Sequence, residues 1–149
     1  MRKTDRLSLL IADVFEAAGA LRLHGDQIAS AVGQSQARWQ VLSVLSEDEW
    51  TVATAARRLG ITRQSVQRIA DLLIADGLAR YELNPQHRGS PLVRLTETGQ
   101  NALATITAAS LAWRRAAAAD IPDEHIAIAC EVLRTLTRRS REAEAADKR

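Results

Sequence analysis

Apolar residues recur at intervals of three and four along most of this chain, the spacing of one face of an α-helix. Leu7, Leu10, Ile11, Val14, Phe15, Ala18 and Leu21 share one stripe, which predicts a first helix over residues 5–32, bent near Gly25. "SQARWQVLSVLSEDE" follows, with Trp39, Leu42 and Leu45 at helical spacing and acidic residues where it ends. In "WTVATAARRLGIT", Thr51 can cap a third helix, Val52, Ala55, Ala56 and Leu59 form its inward face, and Gly60 can stop it. Thr62 can then cap "RQSVQRIADLLIADG", which buries Val66, Ile69, Ala70 and Leu73 on one side and ends at Gly77. Two short helices joined by so few residues have helix-turn-helix spacing, a spacing that any αα-corner of a bundle also has.

The helical pattern breaks once. "LARYELNPQHRGSPLVRLT" predicts two short strands, over residues 78–83 and 92–95, joined by a loop that holds Pro85, Gly89 and Pro91. Trp50 falls at a short strand position before the third helix and is expected to pack against this hairpin. Thr96 can cap a fifth helix carrying Ala102, Leu103, Ile106, Ala109 and Leu111 toward Trp113, ending in "AAAAD". A sixth helix starts just after Ile121, with Pro122 near its first turn and Ile126, Ala129, Cys130, Leu133 and Leu136 on its stripe. Beyond Thr137 the tail is charged and Ala-rich, and fraying is the expectation there.

The polar face of the fourth helix changes this picture from packing to chemistry. It carries Gln64, Gln67, Arg68 and Asp71, with Arg63 and Ser65 in the first turn. Arginine reads guanine and glutamine reads adenine through paired hydrogen bonds in the major groove, which helix-turn-helix proteins enter with the N-terminal half of the second helix. A face that is merely solvated carries Glu and Lys more often than this set. Directly after such a helix, a hairpin with a basic tip reads as a wing, and Arg88 at that tip suits the negative potential of a minor groove.

Charge supports the same reading. The net formal charge of the 149 residues is only +2, but residues 50–95 hold seven arginines against three acids, a net of +4. Five basic and seven acidic residues precede position 51, and eight of each follow position 95. A basic middle suits a polyanion. Arg57, Arg58, Arg63, Arg80 and Arg94 are therefore candidates for phosphate contact, which makes affinity salt-dependent.

Composition excludes more than it selects. Hydrophobic residues make up 46% and aromatic residues 3%, so Leu, Ile, Val and Ala must fill a single core. One cysteine, Cys130, leaves no internal disulfide framework and fits a reducing cytoplasm; its place on an apolar stripe predicts a buried small hydrophobe. The N-terminal stretch has basic residues before an apolar run, yet Asp13 and Glu16 interrupt it, so neither an export signal nor a membrane span is expected. His24, His87 and His125 are scattered, which gives no metal site. No nucleophile–base arrangement, phosphate-cradling glycine loop or cofactor motif is present, so the chain is not expected to be an enzyme. Trp39, His24 and Trp113 are candidates for a ligand pocket, with core packing as the competing reading for the tryptophans.

The order of parts, "ARWQVLSVL", then "GITRQSVQRIADLLIADGL", then "HR…PLVRLTETG", resembles the MarR family of winged helix-turn-helix transcription regulators, best over residues 37–99. The resemblance implies a mainly α fold with a small β-hairpin wing, in three regions. An N-terminal dimerisation helix would span residues 1–36, the winged helix-turn-helix residues 37–99, and C-terminal dimerisation helices residues 100–149. It implies a cytoplasmic homodimer in which first, fifth and sixth helices intertwine, bound to a pseudo-palindromic operator in double-stranded DNA. Repression relieved by a small aromatic or phenolic effector is implied as well. The wing residue it carries over is Arg88; with the residues read above, the expected DNA-binding set is Arg63, Gln64, Ser65, Gln67 and Arg68 on the reading helix, Arg57 and Arg58 before it, and Arg88 and Arg94 in the wing. One departure stands out: the family's common Asp-Arg-Arg wing run is His87-Arg88-Gly89 here, so the acid that usually orients the wing is missing. The rival expectations are a winged-helix module that binds protein instead of DNA, and a helical dimer that binds a small molecule.

Overall fold

Local capping chemistry sets the boundaries of the helices. In the computed structural model, which describes residues 1–148, α1 spans Lys3–Ser30, α2 Gln36–Glu47, α3 Val52–Leu59, α4 Arg63–Ala75, α5 Glu97–Ala119 and α6 Asp123–Asp147. Ser35, Thr51 and Thr62 each accept a hydrogen bond from a backbone N–H three residues on, satisfying an otherwise orphaned donor at the starts of α2, α3 and α4. Gly60 closes α3 in the left-handed region at φ 68°, where a side chain is strained, and its N–H returns to the Ala56 carbonyl. That reversal sends the chain into α4 after only two more residues.

Three short strands complete the lobe: β1 at Trp50–Thr51, β2 at Ala79–Glu82 and β3 at Leu92–Leu95. They form an antiparallel sheet in the order β1-β3-β2, with Val93 facing Trp50 on one side and Tyr81 on the other. The hairpin is therefore tied to the start of α3 as well as to itself, as expected for Trp50. The first strand of the hairpin is shorter at both ends than the pattern predicted: its ladder with β3 pairs only Ala79–Glu82, and the Leu78 N–H is committed to the Leu73 carbonyl at the end of α4.

Leu42, Leu73, Val41, Val66, Val93 and Ile106 are among the fully buried side chains, drawn from α2, α4, β3 and α5. This core seats the inward stripe of α4 and leaves its opposite face in solvent. A junction between α4 and α5 fixes the base of the wing. Thr96 donates its hydroxyl to the Gly77 carbonyl at 2.6 Å, its N–H bonds the Leu78 carbonyl, and its Oγ1 accepts the Gly99 N–H. Gly99 lies so close to Leu78 that an added Cβ would meet that carbonyl oxygen at 1.9 Å, so only glycine fits without a backbone shift.

The chain divides into two compact units, Met1–Ser110 and Leu111–Arg149. Within the second, two expectations need correction. The charged end of α6 continues helical to Asp147 rather than fraying after Thr137. Cys130 is exposed, not buried, as are the other apolar positions of α6 to differing degrees, since no described residue of that helix is buried.

Candidate nucleic-acid interface

The exposed face of α4 is an open groove of about 610 Å³, lined by Arg63, Gln64, Gln67, Arg68, Asp71 and Leu72. Four of the residues predicted to read DNA thus come together on one surface. Ser65 does not line the groove. It is half-buried, its N–H bonds Thr62 Oγ1 at 3.1 Å, and its Oγ accepts the Thr62 hydroxyl at 2.8 Å, so it secures the start of the helix.

Gln67 is held by partners that the sequence pattern did not indicate. Its Nε2 donates to Asp71 Oδ1 at 2.9 Å and to Tyr81 Oη at 2.6 Å, and the Tyr81 hydroxyl donates to the same Asp71 oxygen at 3.1 Å. The carboxylate only accepts, which dictates that the amide nitrogen, and not its oxygen, faces Asp71. Tyr81 has its pKa raised above 10.0, first by partial burial, with Asp71 adding to the rise and the Gln67 hydrogen bond opposing it. The phenol therefore stays protonated at neutral pH and available as a donor. Tyr81 lies on β2 and the other two on α4, so the cluster also couples the sheet to the helix.

The predicted phosphate-contacting arginines separate into two groups. Arg63, Arg68 and Arg88 are exposed, and none forms an ion pair among the described residues. Arg58, by contrast, grips Glu47 through both Nε and Nη2, at 3.2 and 3.3 Å. Arg94 pairs with Glu49, and its Nε also lies 3.6 Å from Glu82. Arg80 reaches Glu82 at 3.4 Å. Arg57 is exposed at the end of α3.

The wing tip is built without an acid. Asn84 is 9% exposed; its Oδ1 accepts the Gln86 N–H at 3.1 Å and its Nδ2 donates to the Ser90 carbonyl at 2.9 Å. Two successive turns follow, closed by His87 N–H to the Asn84 carbonyl and Ser90 N–H to the His87 carbonyl. One buried amide thus spans the loop from residue 84 to residue 90 and presents Arg88 at its apex. The sequence marks this clamp only through Asn84-Pro85, read there as a turn start.

For the candidate ligand pocket, Trp39 is half-buried and packs against the core, and His24 is half-buried on α1, both in the first unit. Trp113 is 41% exposed and belongs to the second unit. Among the described residues no three His, Cys, Asp or Glu side chains converge as metal ligands, and no helix is long and apolar enough to cross a membrane.

Comparisons with known proteins meet this geometry. The MarR family model matches residues 32–88, which run from just beyond α1 through the helix pair to Arg88. An uncharacterised protein of Mycobacterium tuberculosis is 54% identical over 104 residues, 70% of this chain and 73% of that protein. The transcriptional regulator BldR from Sulfolobus solfataricus superposes with a TM-score of 0.83 at 18% identity, covering 93% of this chain and 99% of its own. CouR from Rhodococcus jostii RHA1, solved bound to p-coumaroyl-CoA, gives 0.71 at 20% identity, with 90% and 93% covered. At those identities the two superpositions speak for the fold, a mainly helical winged helix-turn-helix.

Proposed function

This chain belongs to the MarR family, with the fold of its transcription regulators, and from that premise we propose that it is a cytoplasmic repressor acting as a homodimer on a pseudo-palindromic operator. The observation that carries the proposal is the α4 groove, where Arg63, Gln64 and Arg68 stand solvent-facing beside a wing that presents Arg88. Arg68, Gln64 and Gln67 reach base edges; Arg63 holds phosphate, and Arg88 enters the flanking minor groove. Exposed apolar residues on the outer helices support the dimer. Phe15 is 75% exposed, Leu21 52%, Ile128 57% and Leu133 44%, which leaves apolar stripes for a second copy to cover.

A symmetric dimer presents two copies of α4 about 34 Å apart, one turn of duplex. Selection of bound sequences from a random duplex pool tests this. The expected product is an inverted repeat with half-site centres about 10 base pairs apart, bound by two chains. Direct repeats, or no enrichment, would refute it. Release by a small aromatic or phenolic effector is the second part of the proposal. It is supported by the p-coumaroyl thioester held by the structural neighbour CouR. Titrating phenolic acids and their thioesters into the DNA complex should free the duplex at saturating effector, and retention with all of them would count against it.

A further inference from the structure

Every donor of the Gln67–Asp71–Tyr81 cluster is already engaged. Both amide hydrogens of Gln67 and the hydroxyl hydrogen of Tyr81 point inward, to Asp71 or to each other. Gln67 and Asp71 both line the groove, and what the cluster has left to offer there is acceptors, Oε1 of Gln67 and the second carboxylate oxygen of Asp71. A free glutamine would pair with adenine through one donor and one acceptor, and this one has no donor to give. We infer that the Gln67–Asp71–Tyr81 cluster reads an exocyclic amine, N6 of adenine or N4 of cytosine, and that Tyr81 is a specificity-determining residue acting through Gln67.

The chemistry of the groove edges makes this selective. Guanine and thymine present only acceptors in the major groove, O6 and N7 or O4, and the remaining carboxylate oxygen of Asp71 and the amide oxygen of Gln67 repel them. Arg68, one turn from Asp71 and without an acidic partner, suits the guanine that faces a cytosine read by the cluster. Tyr81 cannot reach this outcome alone, since its oxygen is held by both α4 side chains. Its part is to occupy the Gln67 hydrogen that would otherwise bond N7 of adenine.

This inference rests on the proposed DNA-reading role of α4, and the experiment keeps the two apart. Pool selection is run with the natural chain, Tyr81→Phe, Asp71→Asn and Gln67→Ala. The position whose preference vanishes in Gln67→Ala is the one this cluster contacts. There the natural chain should take adenine or cytosine over guanine and thymine, by about fivefold or more. Tyr81→Phe releases a donor and should raise adenine over cytosine by a similar factor. Asp71→Asn adds a donor and should admit guanine or thymine. Both variants alter exposed polar atoms, and circular dichroism with a thermal melt verifies that each is folded. Enrichment of guanine or thymine by the natural chain at that position overturns the inference, as do unchanged profiles in folded Tyr81→Phe and Asp71→Asn. Failure of the natural chain to enrich any sequence instead removes the DNA-reading role on which the inference stands.

Discussion

Along α4 and at the wing tip, Arg63, Arg68 and Arg88 reach into solvent without an acidic partner; at the edge where α2 and α3 meet the β2–β3 hairpin, Arg58 and Arg94 are bound to Glu47, Glu49 and Glu82. The two regions carry comparable numbers of arginines and differ in what those side chains can still do. An unpaired guanidinium that meets a phosphate releases a condensed counterion and contributes to affinity, whereas a paired one must first give up its carboxylate and leave that charge near the DNA. Surface pairs of this kind are worth only about 0–1 kcal/mol, so they do not lock the protein. They do direct the positive field toward one face. Net charge alone, +4 over residues 50–95, conceals that direction.

The comparison can be broken most severely by a change that disturbs both regions. Gly99→Ala forces a Cβ against the Leu78 carbonyl at the junction of α4, the sheet and α5. It should destabilise the fold by about 1–3 kcal/mol in urea denaturation, as overpacking does. Within the unpaired group, Arg68→Ala should weaken binding to a selected operator by about 1–3 kcal/mol and binding to random duplex much less. Equal losses on both would make Arg68 a phosphate contact. Arg88→Ala should cost a few-fold on sites with A·T-rich flanks and flatten the salt dependence by about one in log–log slope. Unchanged binding there would remove the wing from the interface.

The paired group gives the reverse test. Glu47→Gln leaves Arg58 without its carboxylate, and should tighten binding to random duplex slightly while steepening the salt slope by about one. A neutral result would place Arg58 outside the DNA footprint. The smallest effect belongs to the helix–sheet link. Tyr81 is the one tyrosine in the chain, so ultraviolet titration reads its phenol directly. Its folded pKa is raised, so the stability it contributes is complete below pH 10.0 and fades as pH rises through the higher folded value. Asp71→Asn should lower that midpoint and Gln67→Ala should raise it.

Much of the lobe was legible because its signals are local. Thr51, Thr62 and Gly60 announce their caps within three residues, and the stripe Val66, Ile69, Ala70 and Leu73 is buried as its spacing predicted. The short strand at Trp50 and the break at Asn84-Pro85 were visible in the same way. What escaped the sequence depends on residues far apart in it. Arg94 and Glu49 are 45 positions apart, Arg58 and Glu47 are 11, and Tyr81 lies 10 beyond Asp71. No periodicity links such pairs; only the fold brings them together. Gln67 therefore looked like an ordinary adenine reader, and the clamp by Asn84 was hidden behind a turn signal. Cys130 failed for another reason, since a stripe announces that something must cover it but not that the same chain does.

DNA binding by the unpaired arginines of α4 and the wing underlies every comparison above. It is tested most directly by titrating duplex DNA across a range of salt with the natural chain and with Arg63→Ala/Arg68→Ala/Arg88→Ala. The natural chain should show log affinity falling linearly with log salt, and the triple variant should bind far more weakly with a slope shallower by about two per chain, from Arg63 and Arg88. Binding by the natural chain that ignores salt, or a triple variant that binds as the natural chain does, would contradict the account.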